Sequence, residues 1–283
     1  MISSLFRTFT LSGLLLSILA LAACVQVPVE GGASSASMNS NQVRYTPRAD
    51  LPTASDDSEV RRRARIRLEL AATYYAKGQF TTALDEVKQA ESIDPRLAAT
   101  HEMRALIYDA LGDAGRAESA YRQALDLEPN NGSVMHNYAW FLCNQSRFAE
   151  ADGLFERALR FPQSMDASRT WLARGVCQMR AGLFAEAEKS LLSAYEINTA
   201  NPATAYNLAS VLLRRGELDR ARFYVRRVNN VQEQVTAESL WLAARIEHRL
   251  GNLEARNELG AQMRSRFPNA RETTAFELGR FDD

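Results

Sequence analysis

The chain has 283 residues, 34 basic and 34 acidic side chains, a formal net charge of zero, and a composition 46% hydrophobic and 24% charged. These values belong to an ordinary folded protein and exclude wholesale disorder, a collagen-like rod and a polytopic membrane protein. With no basic surplus, a dedicated nucleic-acid binder is disfavoured, and three Cys are too few for a disulfide scaffold or a Cys-based structural zinc site.

In chain order, Arg7 precedes an apolar run from Leu11 to Ala23. That run fits the core of a signal peptide and falls short of the roughly 20 apolar residues that span a bilayer. It ends in Leu21, Ala22, Ala23 and Cys24, which resembles the bacterial lipoprotein signal, or lipobox. The resemblance implies that residues 1–23 are removed and that Cys24 carries acyl chains such as palmitate. Val25, where inner-membrane lipoproteins often carry Asp, implies the outer membrane and its periplasmic face. Residues 24–63 hold Pro28, Gly31, Gly32, Pro47 and Pro52 without apolar periodicity, and read as a lipidated, flexible tether. Arg61, Arg62, Arg63, Arg65 and Arg67 read as a solvated helix face, with anionic head groups or an acidic partner as the functional alternative.

From residue 64 the chain repeats. Gly78, Gly112, Gly182 and Gly216 are spaced by 34, 70 and 34 residues. Ala83, Ala117, Ala151, Ala187 and Ala221 keep step with them, as do Ala90, Ala124, Ala158 and Ala194. Pro95 and Pro129 close the first two units. The alignment gives six units, 64–97, 98–131, 132–165, 168–201, 202–235 and 237–270, followed by a tail, 271–283. The second unit is the cleanest, with Ala105, Tyr108, Gly112, Ala117, Tyr121, Ala124 and Pro129. The third has Ser146 for the turn Gly and moves the proline to Pro162; the sixth has Arg256 where the second-helix Ala belongs.

This pattern resembles the tetratricopeptide repeat (TPR), a helix–turn–helix. It predicts an all-α fold, a right-handed superhelical solenoid in which no hairpin can bury its own apolar face alone. Small residues belong where helices cross closely, and Gly where the chain turns left-handed. Phe80, Phe148 and Phe155 are predicted to fill gaps between units.

Chemistry-bearing patterns are sparse. His101, His136 and His248 lack metal-ligand spacing, and His136 with Cys143 makes two ligands, which is not a site. There is no phosphate loop, nucleophile elbow or His-Glu-x-x-His motif. The expectation is a non-enzyme with no catalytic residues, no metal, no cofactor, no small-molecule substrate and no nucleic acid. Cys143 and Cys177 fall on first helices of units three and four, which are neighbours in the repeat architecture. In the oxidising compartment that the signal implies they predict a disulfide, the alternative being two buried thiols.

In TPR stacks, first-helix positions 2, 5, 9, 12 and 13 line the concave face. The resemblance therefore implies a partner-binding groove containing Leu68, Ala72, Tyr75, Leu106, His136, Trp140, Asn144, Leu172, Tyr206 and Trp241. Each has packing between repeats as its alternative. Unit one is the most apolar stretch and the nearest to the anchor, so it is the first place to look for a partner.

Local strings narrow the resemblance. They are Asn137 to Cys143 (NYAWFLC), Ser239 to Ala243 (SLWLA), Arg249-Leu250-Gly251, Arg266-Phe267-Pro268 and Glu277 to Asp282 (ELGRFD). Together with the order of signal, lipobox, tether and six repeats, they are similar to the type IV pilus biogenesis and stability lipoproteins, the PilF/PilW family. That resemblance implies a pilotin: an outer-membrane lipoprotein that promotes secretin localisation and multimerisation and pilus stability by binding proteins. The alternative is another cell-envelope TPR scaffold, organising peptidoglycan enzymes or outer-membrane protein assembly.

Overall fold

The computed structural model describes residues 54–161 and 166–282, with side chains from residue 59 onward. The signal segment, Cys24, Val25, the tether up to residue 53 and Pro162 lie outside the described residues.

Twelve helices run in six antiparallel pairs: α1 (Ala54–Ala76) with α2 (Phe80–Ile93), α3 (Ala98–Ala110) with α4 (Ala114–Leu127), and α5 (Gly132–Asn144) with α6 (Phe148–Leu159). They continue with α7 (Ala167–Arg180) and α8 (Phe184–Ile197), α9 (Pro202–Arg214) and α10 (Leu218–Asn229), and α11 (Ala237–Arg249) and α12 (Leu253–Arg266). A short α13 (Arg271–Glu277) ends the chain. No strand occurs among the described residues, and no helix there is long and apolar enough to cross a membrane. The protein is an all-α TPR solenoid.

Each pair packs internally, and each second helix packs on the next first helix. First helices also touch their counterparts in succession, α1 to α3 and onward to α9 with α11. A stack in which one layer draws its like members together curves toward that layer, so the first helices line the concave side.

Alanines set the helix crossings. Ala83, Ala117, Ala151, Ala187 and Ala221 are fully buried, as are Ala90, Ala124 and Ala194. A larger side chain at these points would separate the helices and forfeit close-packed contact along their length. Gly175 shows the limit: a Cβ there would stand 2.6 Å from Leu191 Cγ. Phe155 is wholly buried, while Phe80 and Phe148 are half-buried against the inter-unit clusters. Polar side chains start several first helices. Asn131 Oδ1 accepts from the Ser133 and Val134 amides, Asn201 Oδ1 from Ala203 and Thr204, and Asp166 Oδ1 from Ser168.

Two features depart from the sequence expectation. α1 begins at Ala54, so helix extends back into the stretch read as tether through residue 63. The first turns of this helix, from Ala54 through Arg63, carry charge without apolar periodicity. Of the basic run, Arg61, Arg62, Arg63 and Arg65 are exposed, and Arg62 and Arg67 pair with Glu59 and Glu86. The tail is the second feature. α13 packs on α11 and α12, and Phe276 lies over Gly260, where a Cβ would come within 2.2 Å of its ring. The tail thus covers the last repeat, which carries Arg256 in place of a packing alanine.

Candidate partner-binding groove

Three successive first helices, α5, α7 and α9, open a cavity of about 280 Å³ on the concave side. It is lined by His136, Asn137, Trp140, Arg169, Leu172, Ala173, Val176 and Asn207. Residues four apart on each helix face the same way, which brings His136 and Trp140, Arg169 and Ala173, and Leu172 and Val176 to one wall. The floor is apolar; Trp140, Leu172 and Val176 are half-buried and present rings and methyls to the opening. Arg169 is exposed at the rim. The Arg180 guanidinium sits 4.9 Å from the Trp140 ring centre and donates to Asn144 Oδ1 at 2.8 Å, closing one end.

The α5–α7 seam beneath the cavity is cross-linked three times. Cys143 and Cys177 form a disulfide with Cα atoms 5.9 Å apart. His136 Nδ1 lies 3.2 Å from Thr170 Oγ1, and Arg180 reaches Asn144. His136 is only 4% exposed and stands edge-on to Phe155. Burial first, and Arg169 second, push its pKa down to about 4, so it is neutral at physiological pH. Glu102 on α3 accepts from Asn137 Nδ2 at 2.7 Å and Ser133 Oγ at 3.1 Å, while burial raises its pKa.

Of the ten residues singled out for binding, the cavity gathers His136, Trp140 and Leu172, with Asn144 at its end through Arg180. The N-terminal residues do not line this cavity. Leu68 and Tyr75 pack against Ala71, Ala83, Val87 and Ile107, and Tyr75 also meets Phe80 at 5.6 Å between ring centres. Leu106 packs against the next cluster, and Ala72 is half-buried on α1. The cavity therefore lies in units three to five, not in unit one. Tyr206 is half-buried on α9, with burial raising its pKa. Trp241 is covered by the chain's own tail, 5.2 Å from Phe281 and 6.4 Å from Phe276. Asn137 and Asn207 occupy the sixth position of units three and five, one place beyond the five groove positions considered. Their recurrence was the available signal.

The groove offers apolar surface, amides and a guanidinium. Among the described residues, no group of three or more His, Cys, Asp or Glu stands ready to hold a metal ion. An apolar floor with a few polar groups at its edge is a surface that suits recognition of a polypeptide.

Known proteins resemble this chain over most of its described length. Models of the tetratricopeptide repeat match residues 98–131, 120–152 and 144–203. The type IV pilus assembly protein PilF of Pseudomonas aeruginosa is 25% identical over 213 residues, covering 74% of this chain and 83% of that protein. The crystal structure of PilW, described as a widely conserved type IV pilus biogenesis factor, superposes with a TM-score of 0.69 at 29% identity, covering 75% of this chain and 97% of that one. The solved P. aeruginosa PilF shares the fold, with a TM-score of 0.68 at 24% identity over 78% of this chain and 98% of its own.

Proposed function

Since the chain is a TPR protein homologous to PilF and PilW of type IV pilus biogenesis, we propose that it acts as a pilotin. Acyl chains on Cys24 hold it at the outer membrane, facing the periplasm. Its groove there binds pilus-assembly proteins, the secretin among them, and promotes secretin localisation, multimerisation and pilus stability. The observation that carries this reading is the apolar cavity over Trp140, Leu172 and Val176 in a homologue of a pilus assembly protein. A rigid, partly exposed aromatic floor suits a segment that must be held out of water before assembly. More than one acyl chain gives stable anchoring, and tethering raises local concentration, so a modest groove affinity suffices.

The test uses Leu172→Glu and Trp140→Glu, which place a carboxylate on the cavity floor, beside Cys24→Ala. Groove variants should keep the wild-type circular dichroism and outer-membrane fractionation but lose surface pili and secretin multimers. Cys24→Ala should lose the fractionation with the repeats still folded. Normal pili and multimers from folded groove variants would reject the reading. A changed cell shape with intact pili would favour an envelope scaffold instead.

A further inference from the structure

The concave side changes character toward its C-terminal end. Position 13 of the first helices is Ala76, Ala110 and Asn144 in units one to three, then Arg180, Arg214 and Arg249. Arg245, one turn before Arg249, joins them. Arg180, Arg214 and Arg249 are exposed and Arg245 is half-buried. Among the described residues, none of the four has a carboxylate at ion-pair distance. Arginines on and around the second helices are treated differently: Arg215 and Arg220 pair with Glu188, and Arg226 with Glu247. The groove arginines are instead spent on weaker contacts. Arg214 sits over the Phe184 ring, and Arg249 donates to the Leu213 carbonyl at 3.2 Å. Burial, and then repulsion from Arg214 and Arg249, push the Arg245 guanidinium down, so the three stand close enough to oppose one another.

One short segment already shows what this surface accepts. The chain's own end, Phe281 and Asp282, lies on α11. Phe281 is 7% exposed, stacked on His248 with ring centres 4.3 Å apart. Its carbonyl accepts from Arg245 Nε at 2.9 Å, and Asp282 is the acidic group that counters the charge of Arg245. An aromatic side chain fills a slot, an arginine holds the backbone, and a carboxylate follows. Arg214, Arg249 and Arg180 continue the same basic row toward the Trp140 cavity, and among the described residues no carboxylate pairs with them.

From this complementarity we infer that the C-terminal half of the groove docks an extended, acidic segment of a partner protein that carries aromatic residues. Its carboxylates pair with Arg180, Arg214 and Arg249, and its rings seat on the apolar floor around Trp140 and Leu172. The inference rests on the groove reading above and deepens it by naming the partner's chemistry. Guanidinium forks suit carboxylates because two parallel N–H donors meet two oxygens.

The probe is a fluorescein-labelled peptide of alternating Asp and Phe, titrated by anisotropy into the full purified protein in detergent. Its control has Lys in place of Asp. The acidic peptide should bind, and the Lys counterpart should bind at least about tenfold more weakly. Arg214→Glu with Arg249→Glu, both exposed positions, should cost the acidic peptide about tenfold or more, and added salt should weaken binding steeply. Equal binding of both peptides, or unchanged binding by the double variant, overturns the inference. So does a dimer that dissociates on Phe281→Ala while neither peptide binds, which would assign the surface to the tail of a second copy. Because the peptide assay uses purified protein and the pilus counts use cells, loss of pili in Leu172→Glu without acidic selectivity removes this inference alone. Acidic selectivity with normal pili removes the pilotin reading alone.

Discussion

The two ends of the concave face are built from the same repeat positions and reach different outcomes. Around α1 and α3, the aromatic and aliphatic groove residues pack on one another: Tyr75 on Phe80, Leu106 into the adjoining cluster. α3 sets two carboxylates there, Glu102 and Asp109, and burial raises the pKa of both. Around α5, α7 and α9 the floor stays open, the charges are basic, and the seam between α5 and α7 is tied by the disulfide, His136–Thr170 and Arg180–Asn144. A cavity exposes side chains that would otherwise help hold helices together. The cross-links beneath it replace part of that cohesion. Closure by packing in one half and openness supported by cross-links in the other are two solutions within one repeat.

Cutting the strongest cross-link tests this division most severely. The disulfide closes a loop with a sequence separation of 34, and such a closure stabilises by about 3–4 kcal/mol in the chain-entropy description. Cys143→Ala with Cys177→Ala leaves no buried polar group, so the unfolding free energy from denaturant titration should fall by that order. In a stack of nearest-neighbour units the loss should be local. Hydrogen exchange should accelerate in α5 to α8 and stay near wild type in α1 to α4. Equal acceleration in both halves would show that the seam has no special role.

Burial of His136, with Arg169 beside it, makes the same seam sensitive to acid. In the folded chain the imidazole pKa is lowered from 6.5 to about 4, so below 6.5 the unfolded chain takes up a proton that the folded chain refuses. Stability is therefore fully present above pH 6.5 and falls as the pH drops toward 4. The loss between pH 6.5 and pH 5 should be about 1.5 kcal/mol. Denaturant titrations of wild type and His136→Gln measure it, and the variant should have a flatter profile over that window. Identical slopes would mean that the ring is not held neutral.

These contrasts also mark how far the sequence could be read. The solenoid was legible because helix crossings demand small residues at fixed intervals, and Ala83 to Ala221 and Gly78 to Gly216 record those intervals directly. His136, Trp140 and Leu172 were legible as groove residues for the same positional reason. Which of them line an open cavity was not: Leu68 and Trp140 are both half-buried, and only Trp140 lines the cavity, which depends on side chains a full unit away. The helical start at Ala54 carried no apolar period. Phe276 and Phe281 sit in a tail without repeat spacing, so nothing showed that they would cover Gly260 and Trp241.

The smallest predicted effect concerns the turn of unit three, where the open half begins. Gly78, Gly112, Gly182, Gly216 and Gly251 adopt φ between 72° and 78° at the corresponding turns, whereas unit three places Ser146 at φ 61°. A side chain in the left-handed region costs about 1 kcal/mol, because its Cβ crowds the following carbonyl. The Ser146 amide donates to the Cys143 carbonyl at 3.0 Å, so this strained turn adjoins the disulfide. Ser146→Gly should therefore stabilise the protein slightly, by about 0.5 kcal/mol at most once the greater freedom of glycine in the unfolded chain is subtracted. Slower hydrogen exchange confined to α5 and α6 would accompany the gain. Strain concentrates where a structure is over-determined by its surroundings. If the turn is held in place by the cross-linked seam, the gain from Ser146→Gly should shrink in the Cys143→Ala and Cys177→Ala background, where the turn can relax. A gain of the same size in both backgrounds would separate the turn from the seam and leave the disulfide acting on α5 and α7 alone.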